Sequence, residues 1–261
     1  MIHEPGSGRS LPAPRRQPVA PSQPEAGGSA IRYANGPTKR AFGLLAGVAL
    51  SIVTAPAIVL LAVGSAVSFR AWPLFVQKRL GRGGRPFNFV KLRSLPIDTP
   101  VDADKYTIAT TTTTTRWGSF LRGSHLDELP QCWLVLTGRM SLVGPRPEMP
   151  ALAATFDASF MEERLAVRPG ITGPWQVSTA STGLIGEAPE LDRLYLAHAG
   201  PRLDAWVLLR TIGGLVGLRP VPLERFPGWA GNGSAPPGAP MPDVDVAAQT
   251  ADSGRQTGSS S

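Results

Sequence analysis

The sequence contains a single cysteine, Cys132, among its 261 residues. One thiol cannot form an intrachain disulfide, and it cannot supply the cysteine cluster of a structural zinc site. The sequence therefore excludes a small disulfide-stabilised module and a zinc finger. It favours a reducing compartment.

Periodic apolar residues are missing at both ends of the chain. The 29 glycines and 27 prolines together make up about a fifth of the 261 residues, whereas their usual combined share is roughly 12%. Residues 1–37 and 221–261 are rich in both. Segments of this composition bury too little apolar surface to fold, so we predict that both are disordered tails. The first long apolar stretch begins only at Ala41, which argues against a cleaved secretory signal.

Charge is absent from residues 41–69, a run of 29 residues. As one helix, at about 1.5 Å per residue, this run would be about 43 Å long, which exceeds the roughly 30 Å hydrocarbon core of a bilayer. The core helices of soluble proteins rarely contain an uncharged run of this length. The sequence therefore predicts a membrane helix over residues 38–70.

Pro56 lies in the middle of this uncharged run. Proline removes a backbone donor and clashes with the preceding turn, so we predict a break there and a re-entrant helix that dips into the membrane and returns. Basic residues mark the cytoplasmic side, and they flank both ends, with Lys39 and Arg40 before the run and Arg70 after it. A re-entrant helix explains both flanks, and a single span is the alternative.

Acidic residues are absent from residues 70–97, which contain seven basic ones. Beside a membrane segment such a run attracts anionic lipid, at about 1 kcal/mol per basic residue, whereas a solvated face or a nucleic-acid patch is the alternative. Apolar and polar residues alternate on both sides of residues 81–84, which predicts two short strands joined by a turn. We therefore expect contact with membrane lipid and no nucleic-acid partner.

Helical patterns dominate the remainder. We predict helices over residues 117–124, 126–137, 151–165 and 202–218, of which the last could lie at the membrane interface. Together with the short strands, this pattern predicts an α+β fold. A compact, mostly helical domain over residues 71–220 would follow the membrane helix.

Two adjacent carboxylates, Asp127 and Glu128, stand among basic and apolar residues. Such a pair is usually a solvated surface feature. Pro130 is tolerated in the first turn of a helix, so the pair would lie at the N-terminal end of the predicted helix, where backbone donors favour negative groups. Arg122 precedes Asp127 by five residues. A carboxylate nucleophile, a second carboxylate for a divalent cation and a cationic clamp suit phosphoryl transfer.

Two proline-containing turns downstream each present an arginine. Arg146 stands between Pro145 and Pro147, and Arg168 precedes Pro169. Prolines restrict the backbone, so each guanidinium would be held for bidentate recognition of phosphate. Ordinary surface turns are the alternative interpretation.

Four stretches, taken in their order and spacing, resemble a known family. They are KRAFGLLAGVAL, VQKRLGRGGRPFNFVKLRSL, GSFLRGSHLDELPQCWLVLTGRMSLVGPRP and RPGITGPWQV. Over roughly residues 38–219 the chain resembles the bacterial polyprenyl-phosphate sugar-1-phosphate transferases, also called monotopic phosphoglycosyl transferases. The succession of LDELPQ, SLVGPRP and RPGITG makes this resemblance specific.

The resemblance implies an enzyme whose catalytic domain covers residues 71–220. Its expected reaction transfers a sugar-1-phosphate from a nucleoside diphosphate sugar, expected to be a uridine diphosphate sugar, to polyprenyl phosphate. This reaction is the first membrane step in making exopolysaccharide, capsule, O-antigen or glycoconjugate. The implied location is the inner (cytoplasmic) membrane with the catalytic domain facing the cytoplasm, where downstream glycosyltransferases are expected partners.

The resemblance also assigns roles to individual residues. Asp127 matches the covalent nucleophile, and Glu128 matches the ligand of Mg²⁺, the expected cofactor. Arg122 would face the lipid phosphate, and Arg146 would help to form the nucleotide-sugar site. We also expect Lys91, Arg93 and Arg168 to bind substrate, and Pro56, Pro145 and Pro147 to have structural roles.

Three departures from the family pattern stand out. Ala55 replaces the serine that usually precedes the helix-breaking proline, and Gly43 replaces a common aspartate. A run of six threonines, residues 110–115, replaces the usual Asp-x-Arg-x-Thr stretch. Two other functions stay open at this point: a non-enzymatic membrane-surface adaptor that uses the basic face, and a membrane-tethered nucleic-acid binder.

Overall fold

The structure is a computed structural model that describes residues 25–101 and 112–228, with side chains from residue 28 onward. Within these ranges the chain is mostly helical with short strands, as predicted. The outer parts of both predicted tails, residues 1–24 and 229–261, lie outside the described residues. So do the first two threonines of the threonine run.

The α-helices are α1 (Glu25–Asn35), α2 (Pro37–Phe69), α3 (Arg116–Gly123), α4 (Cys132–Leu136), α5 (Pro150–Ala153), α6 (Ala158–Leu165), α7 (Pro174–Val177), α8 (Pro189–His198) and α9 (Pro201–Leu215). Strands β1 (Leu74–Leu80) and β2 (Pro86–Leu92) form an antiparallel sheet, and β3 (Ser141–Val143) and β4 (Gly170–Thr172) form a parallel one. Short 3-10 helices cover Arg82–Gly84, Leu126–Gln131, Thr179–Thr182, Ile185–Glu187 and Leu223–Arg225.

The β1–β2 hairpin confirms the prediction made from the alternating residues. Leu74 pairs with Leu92, so the two strands match over their full length. Gly83 and Gly84 turn the chain at φ 67° and 70°, a left-handed conformation that glycine adopts without strain. Leu92 is buried at the end of β2, which fixes the position of the residues that follow it.

Helix α2 contains the uncharged run and is long and apolar enough to cross a membrane. The predicted break at Pro56 is wrong, because the helix continues through this residue without interruption. Proline removes one hydrogen bond of the helix, and it can bend a helix without ending it when neighbouring bonds and packing hold the rest. At about 1.5 Å per residue, the 33 residues of α2 extend about 50 Å.

Both halves of α2 pack against the following domain. In the first half, a Cβ at Gly47 would lie 3.1 Å from the Leu136 side chain, so the small residue permits close packing on α4. In the second half, a Cβ at Gly64 would lie 2.3 Å from the ring of Trp117, whose Nε1 donates to Ser65 Oγ at 3.1 Å. The helix therefore contacts one domain near both of its ends.

The outward side of α2 is apolar and exposed. More than half of the side-chain surface is exposed at Phe42, Leu45, Ile52, Val53, Val59, Leu60, Val63 and Val67. Helix α9 likewise exposes Leu209, Ile212 and Leu215, as expected for the predicted interfacial helix. Exposed apolar faces of this extent mark contact with a membrane or a partner.

The prediction of disorder through residue 37 is wrong for α1, which packs against α8. Ala30 and Ala34 are buried there, and their small size, together with two glycines in the helix, hides the apolar face in the sequence. The prediction of disorder from residue 221 is also wrong at its start. Val221 and Phe226 are buried, and Phe226 packs on Trp206 with ring centroids 4.9 Å apart.

A buried group of polar side chains joins α1 and α2 to the domain. Asp204 Oδ2 lies 2.6 Å from Lys39 Nζ and accepts from the Tyr33 hydroxyl at 2.9 Å, and Asp204 Oδ1 accepts from the Tyr195 hydroxyl at 3.1 Å. Lys39 also donates to the Tyr195 hydroxyl oxygen. We call these four residues, Tyr33, Lys39, Tyr195 and Asp204, the anchor cluster.

Two predicted helices are each divided. The segment 126–137 forms a 3-10 helix and then α4, and the segment 151–165 forms α5 and α6. Asp157 causes the second division, since its side chain caps α6 by accepting from the backbone of Phe160 at 3.0 Å. The first division places the adjacent carboxylates in the first turn of the 3-10 helix, beside β2.

Candidate active site

The end of β2 and the 3-10 helix Leu126–Gln131 bring the two carboxylates next to cationic side chains. Glu128 Oε1 lies 2.6 Å from Lys91 Nζ and 3.0 Å from Arg146 Nη2, so one oxygen is shared by two cations. Burial acts to raise the pKa of Glu128, but Arg146 and Lys91 together hold it well below its ordinary value. Glu128 is therefore ionised at neutral pH. We call Lys91, Asp127, Glu128 and Arg146 the site cluster.

Asp127 has a different environment from its neighbour. It is 5% exposed, and its Oδ2 accepts a hydrogen bond from Ser94 Oγ at 3.2 Å. Burial raises the pKa of Asp127, and the negative charge of Glu128 adds to the rise. Lys91, Ser94 and Arg122 oppose this shift without cancelling it. Asp127 is thus a buried carboxylate without a direct ion pair among the described residues.

These contrasting environments separate the chemical roles that two adjacent acids can take. Glu128 is locked in its charged form by two cations. Asp127 keeps its electron pairs less engaged, because its described donor is a neutral hydroxyl and not a cation. Of the two, Asp127 is better suited to act as a nucleophile or base, and Glu128 is better suited to bind cations.

Arg146 is held by the backbone turn that carries it. Pro145 and Pro147, for which a structural role was predicted, are buried on either side of it. Arg164 is also buried, and it donates to the carbonyl oxygen of Arg146 while pairing with Asp192 at 2.6 Å. The turn is therefore fixed from both sides, and Arg146 reaches Glu128 with little freedom.

Arg79 supports the same turn on its other side. Its Nη1 donates to the carbonyl of Pro147 at 3.1 Å and lies 3.0 Å from Glu148 Oε2. Burial lowers the pKa of Arg79 to about 10, although Glu148 works against this shift, and the side chain remains charged at neutral pH. The sequence did not indicate Arg79 or Arg164, because each lies in an ordinary strand or helix pattern whose packing partner is distant in the chain.

The other predicted arginines differ in where they lie. Arg122, in the last turn of α3, is near enough to Asp127 to lower its pKa. Arg93 Nε donates to the carbonyl of Trp72 at 2.9 Å, and Arg168 Nε donates to the carbonyl of Gly138 at 3.3 Å. Of the predicted substrate-binding residues, Lys91 and Arg146 therefore touch the carboxylates, Arg122 lies near, and Arg93 and Arg168 make their described contacts elsewhere.

Arg168 shares its surroundings with other arginines. Burial lowers its pKa, and the charges of Arg82 and Arg40 lower it further. Arg40 itself donates to the carbonyls of Val135 and Leu136 at the end of α4. Guanidinium groups therefore lie close together at the C-terminal end of α4, where the last backbone carbonyls of a helix favour positive charge.

Two hydroxyl groups at the site were not predicted from the sequence. Ser94 is 6% exposed and donates to Asp127, and Thr114 Oγ1 donates to the carbonyl of Ser94 at 2.8 Å. Thr115 caps α3 by accepting from the backbone of Gly118 at 3.1 Å. The end of the threonine run therefore connects the residues after β2 to the helix that carries Arg122.

The predicted Mg²⁺ fits the donor set at one point. Both described partners of Glu128 contact Oε1, and no described side chain donates to Oε2. Mg²⁺ is usually bound by one or two carboxylates together with substrate phosphates, so Glu128 is the carboxylate that would hold the ion. No group of three or more metal-ligating side chains occurs in the described ranges, the site cluster included.

The sequence matches the family model for bacterial sugar transferases over residues 34–217. This match covers more than half of the chain and includes the site cluster. The chain belongs to the bacterial sugar transferase family. The resemblance inferred from the four sequence stretches is therefore confirmed.

Similar members of the bacterial sugar transferase family have curated names. One, from Caulobacter vibrioides, is the UDP-glucose:undecaprenyl-phosphate glucose-1-phosphate transferase, 36% identical over 200 residues, which are 75% of this chain and 73% of the relative. The undecaprenyl-phosphate glucose phosphotransferase of Komagataeibacter xylinus is 41% identical over 161 residues, or 59% of this chain and 30% of the relative. The UDP-galactose-lipid carrier transferase of Erwinia amylovora is 33% identical over 195 residues, or 67% and 39%. The chain thus spans less than half the length of the last two.

Proposed function

We propose that this bacterial sugar transferase moves a sugar-1-phosphate from a uridine diphosphate sugar to polyprenyl phosphate at the cytoplasmic face of the inner membrane. The observation that carries the proposal is the contrast between two adjacent acids: Asp127 has no direct ion pair among the described residues, and Glu128 is paired with two cations. The names of the relatives support the same substrates. The product would serve downstream glycosyltransferases.

In the first step, a carboxylate oxygen of Asp127 attacks the phosphorus that carries the sugar. A new P–O bond forms, the P–O bond to the nucleotide breaks, and uridine monophosphate leaves with the electron pair. In the second step, an oxygen of polyprenyl phosphate attacks the same phosphorus. The bond to Asp127 breaks, and the carboxylate is regenerated.

The cations of the site offset the charge that develops on the phosphate oxygens. Arg146 and Lys91 are held in place by Glu128 before substrate binds, so they need little reorganisation. Arg122, whose charge lowers the pKa of Asp127, is the candidate to receive the lipid phosphate. Glu128 would hold Mg²⁺, which when bound supplies further positive charge to the phosphate oxygens.

A membrane adaptor would use the basic face and leave the two carboxylates without a role. The environments of Asp127 and Glu128 favour the enzyme, because burying an acid beside a second acid costs stability and calls for a compensating function. The family to which the chain belongs also consists of transferases by its description.

For topology, we propose that both ends of α2 lie on the cytoplasmic face and that its apolar side dips into the bilayer. Lys39 near one end binds Asp204, and Ser68 near the other end hydrogen-bonds Thr115 at 2.9 Å. Both partners belong to one domain, so a perpendicular span would carry part of this domain through the bilayer. Exposed apolar residues on α2 and α9 provide the surface that lipid would cover.

The direct test offers a panel of uridine diphosphate sugars to the purified protein with polyprenyl phosphate and Mg²⁺, and measures released uridine monophosphate. We expect release with at least one sugar, and none when polyprenyl phosphate is replaced by the uncharged polyprenol. The variant Asp127→Asn is the control for contaminating transferase. Absence of release with every sugar, from protein that remains folded in lipid, would contradict the proposal.

A further inference from the structure

Ser94 lies two residues beyond β2, where the chain passes beneath the candidate nucleophile. Its hydroxyl donates to Asp127 Oδ2 at 3.2 Å, and its side chain is almost fully buried. No described residue donates to Asp127 Oδ1. One oxygen of the carboxylate is therefore engaged, and the other has no donor within residues 25–101 and 112–228.

Ser94 is itself held from its backbone. Thr114 Oγ1 donates to the Ser94 carbonyl at 2.8 Å, and α3 packs directly over this contact. A Cβ at Gly118 would lie 2.4 Å from the Ser94 carbonyl oxygen and 2.2 Å from Thr114 Oγ1, so only glycine permits this approach. These contacts fix the backbone of Ser94 and therefore the position from which its hydroxyl donates, as a positioning residue requires.

We propose that Ser94 is a positioning residue that orients the Asp127 carboxylate, holding Oδ2 so that Oδ1 is the attacking oxygen. The inference rests on the proposed transferase function. Without this hydrogen bond, rotation about the Cβ–Cγ bond would exchange the two oxygens and misalign the attack, which requires the reacting atoms to be aligned.

The chemical type of the donor supports this role. A cation paired directly with Asp127 would hold its electron pairs tightly and weaken it as a nucleophile, whereas a neutral hydroxyl fixes geometry at a smaller cost in nucleophilicity. In the site cluster the described direct cation contacts go to Glu128 instead. The hydrogen bond from Ser94 also opposes the rise in the pKa of Asp127 that burial causes.

The first test compares Ser94→Ala with the unchanged full chain in lipid nanodiscs. We expect kcat to fall about 10- to 100-fold, as for loss of a hydrogen bond to a charged group, with KM for the nucleotide sugar changed less than about twofold. Ser94→Thr, which keeps a hydroxyl, should recover most of the lost kcat.

Ser178→Ala is the matched control. Ser178 is also buried, but its hydroxyl donates to the carbonyl of Trp175 at 2.8 Å and does not touch Asp127. Its kcat should equal that of the unchanged protein. A Ser94→Ala protein with unchanged kcat, or a Ser94→Thr protein that does not recover the lost kcat, would overturn the proposal, because either result would show that the hydroxyl does not act on Asp127.

A second measurement needs no turnover and separates this inference from the transferase function. Thermal unfolding of Asp127→Asn is compared with and without Ser94→Ala. At neutral pH the stabilisation by Asp127→Asn should be larger in the Ser94→Ala protein, because the Asp127 carboxylate there has lost its hydrogen-bond donor. Additive effects of the two substitutions would refute the role of Ser94 even if no sugar is transferred. Ser94→Cys replaces Ser94→Ala if the alanine variant does not fold, and failure of both to fold would mark Ser94 as structural and overturn the proposal.

Discussion

The molecule contains two buried groups of charge, the anchor cluster and the site cluster, which use similar residues in opposite ways. In the anchor cluster both oxygens of Asp204 are occupied by Tyr33, Lys39 and Tyr195. In the site cluster the described partners leave one oxygen of Glu128 and one of Asp127 without a donor. All carboxylate oxygens of the anchor cluster are thus bound within the protein, whereas the site cluster has carboxylate oxygens that could bind a ligand.

The tyrosine hydroxyls sharpen this contrast. Burial raises the pKa of Tyr195 well above its ordinary value, and Asp204 raises it further. Burial and Asp204 have the same effect on the pKa of Tyr33. Both hydroxyls therefore remain donors at all physiological pH values. The two tyrosine hydroxyls of the anchor cluster thus stay protonated, whereas the raised pKa of Asp127 makes the site cluster sensitive to acid. The comparison indicates that a buried carboxylate with both oxygens bound by protein groups has a structural role. A buried carboxylate with an oxygen left without a partner is instead a candidate for function.

The largest expected effect is that of Asp127→Asn. The change keeps the shape of the side chain and removes the attacking charge, so turnover should fall roughly 10³-fold or more. Released uridine monophosphate measures this loss. Substantial remaining turnover would show that another group attacks the phosphorus.

The same variant should be more stable than the unchanged protein at neutral pH. Burial raises the pKa of Asp127 in the folded state, so the ionised form opposes folding above that pKa. Replacement by neutral asparagine should raise the melting temperature by a few degrees, at about 2–4 °C per kcal/mol. This gain should fade as the pH falls through the folded and then the unfolded pKa. A lower melting temperature at neutral pH would contradict the open character of the site cluster.

Asp204→Asn should have the next largest effect, on stability. It leaves Lys39 buried without its counterion, which typically costs about 3–5 kcal/mol. Thermal unfolding in lipid nanodiscs measures the loss, and Lys39→Met combined with Asp204→Leu should recover part of it, because both charges are then gone. A folded Asp204→Asn protein of unchanged stability that lacks turnover would place Asp204 in the chemistry and break the comparison.

Glu128→Gln should reduce activity less than Asp127→Asn. Loss of the carboxylate removes a metal ligand, which we expect to lower turnover roughly 100-fold at low Mg²⁺, equivalent to part of the several kcal/mol that a metal supplies. Higher Mg²⁺ should recover part of this turnover, measured by titrating the metal. An effect independent of Mg²⁺ would assign Glu128 to holding Lys91 and Arg146 alone.

The smallest effect is expected for Tyr33→Phe. Asp204 keeps its contacts with Lys39 and Tyr195, so the loss of one hydrogen bond should cost about 1 kcal/mol of stability. Turnover should be unchanged. An altered pH profile in this variant would show that the anchor cluster communicates with the site.

The sequence predicted the elements whose signals are local. Alternation around the glycine turn predicted β1 and β2, and the acidic pair beside spaced arginines predicted Asp127, Glu128 and Arg146 as a site. Helix α1 was missed because its buried side chains are alanines. The break at Pro56 was wrongly predicted, because helix packing on the domain along both sides of Pro56 is invisible in the sequence.

Contacts between distant segments were also beyond prediction. Ser94 contacts Asp127 from 33 residues away in the chain, with Thr114 and Gly118 against its backbone carbonyl, and Arg164 contacts Arg146 from α6. No local sequence pattern around a serine or an arginine predicts partners that are distant in the chain. The charged residues of the site could be named from the local sequence and the family resemblance, but the groups that hold them in place could not.

The central claim is that Asp127 attacks the sugar-bearing phosphorus, and it can be tested without the second substrate. The protein is incubated with its nucleotide sugar and Mg²⁺ in the absence of polyprenyl phosphate, quenched in acid and digested, and the peptide that contains Asp127 is analysed by mass spectrometry. We predict a sugar-phosphate adduct on Asp127, formed together with uridine monophosphate, absent from Asp127→Asn and removed by added polyprenyl phosphate. Turnover of the complete reaction with no adduct on Asp127 at any time, or an adduct on a different residue, would contradict the account.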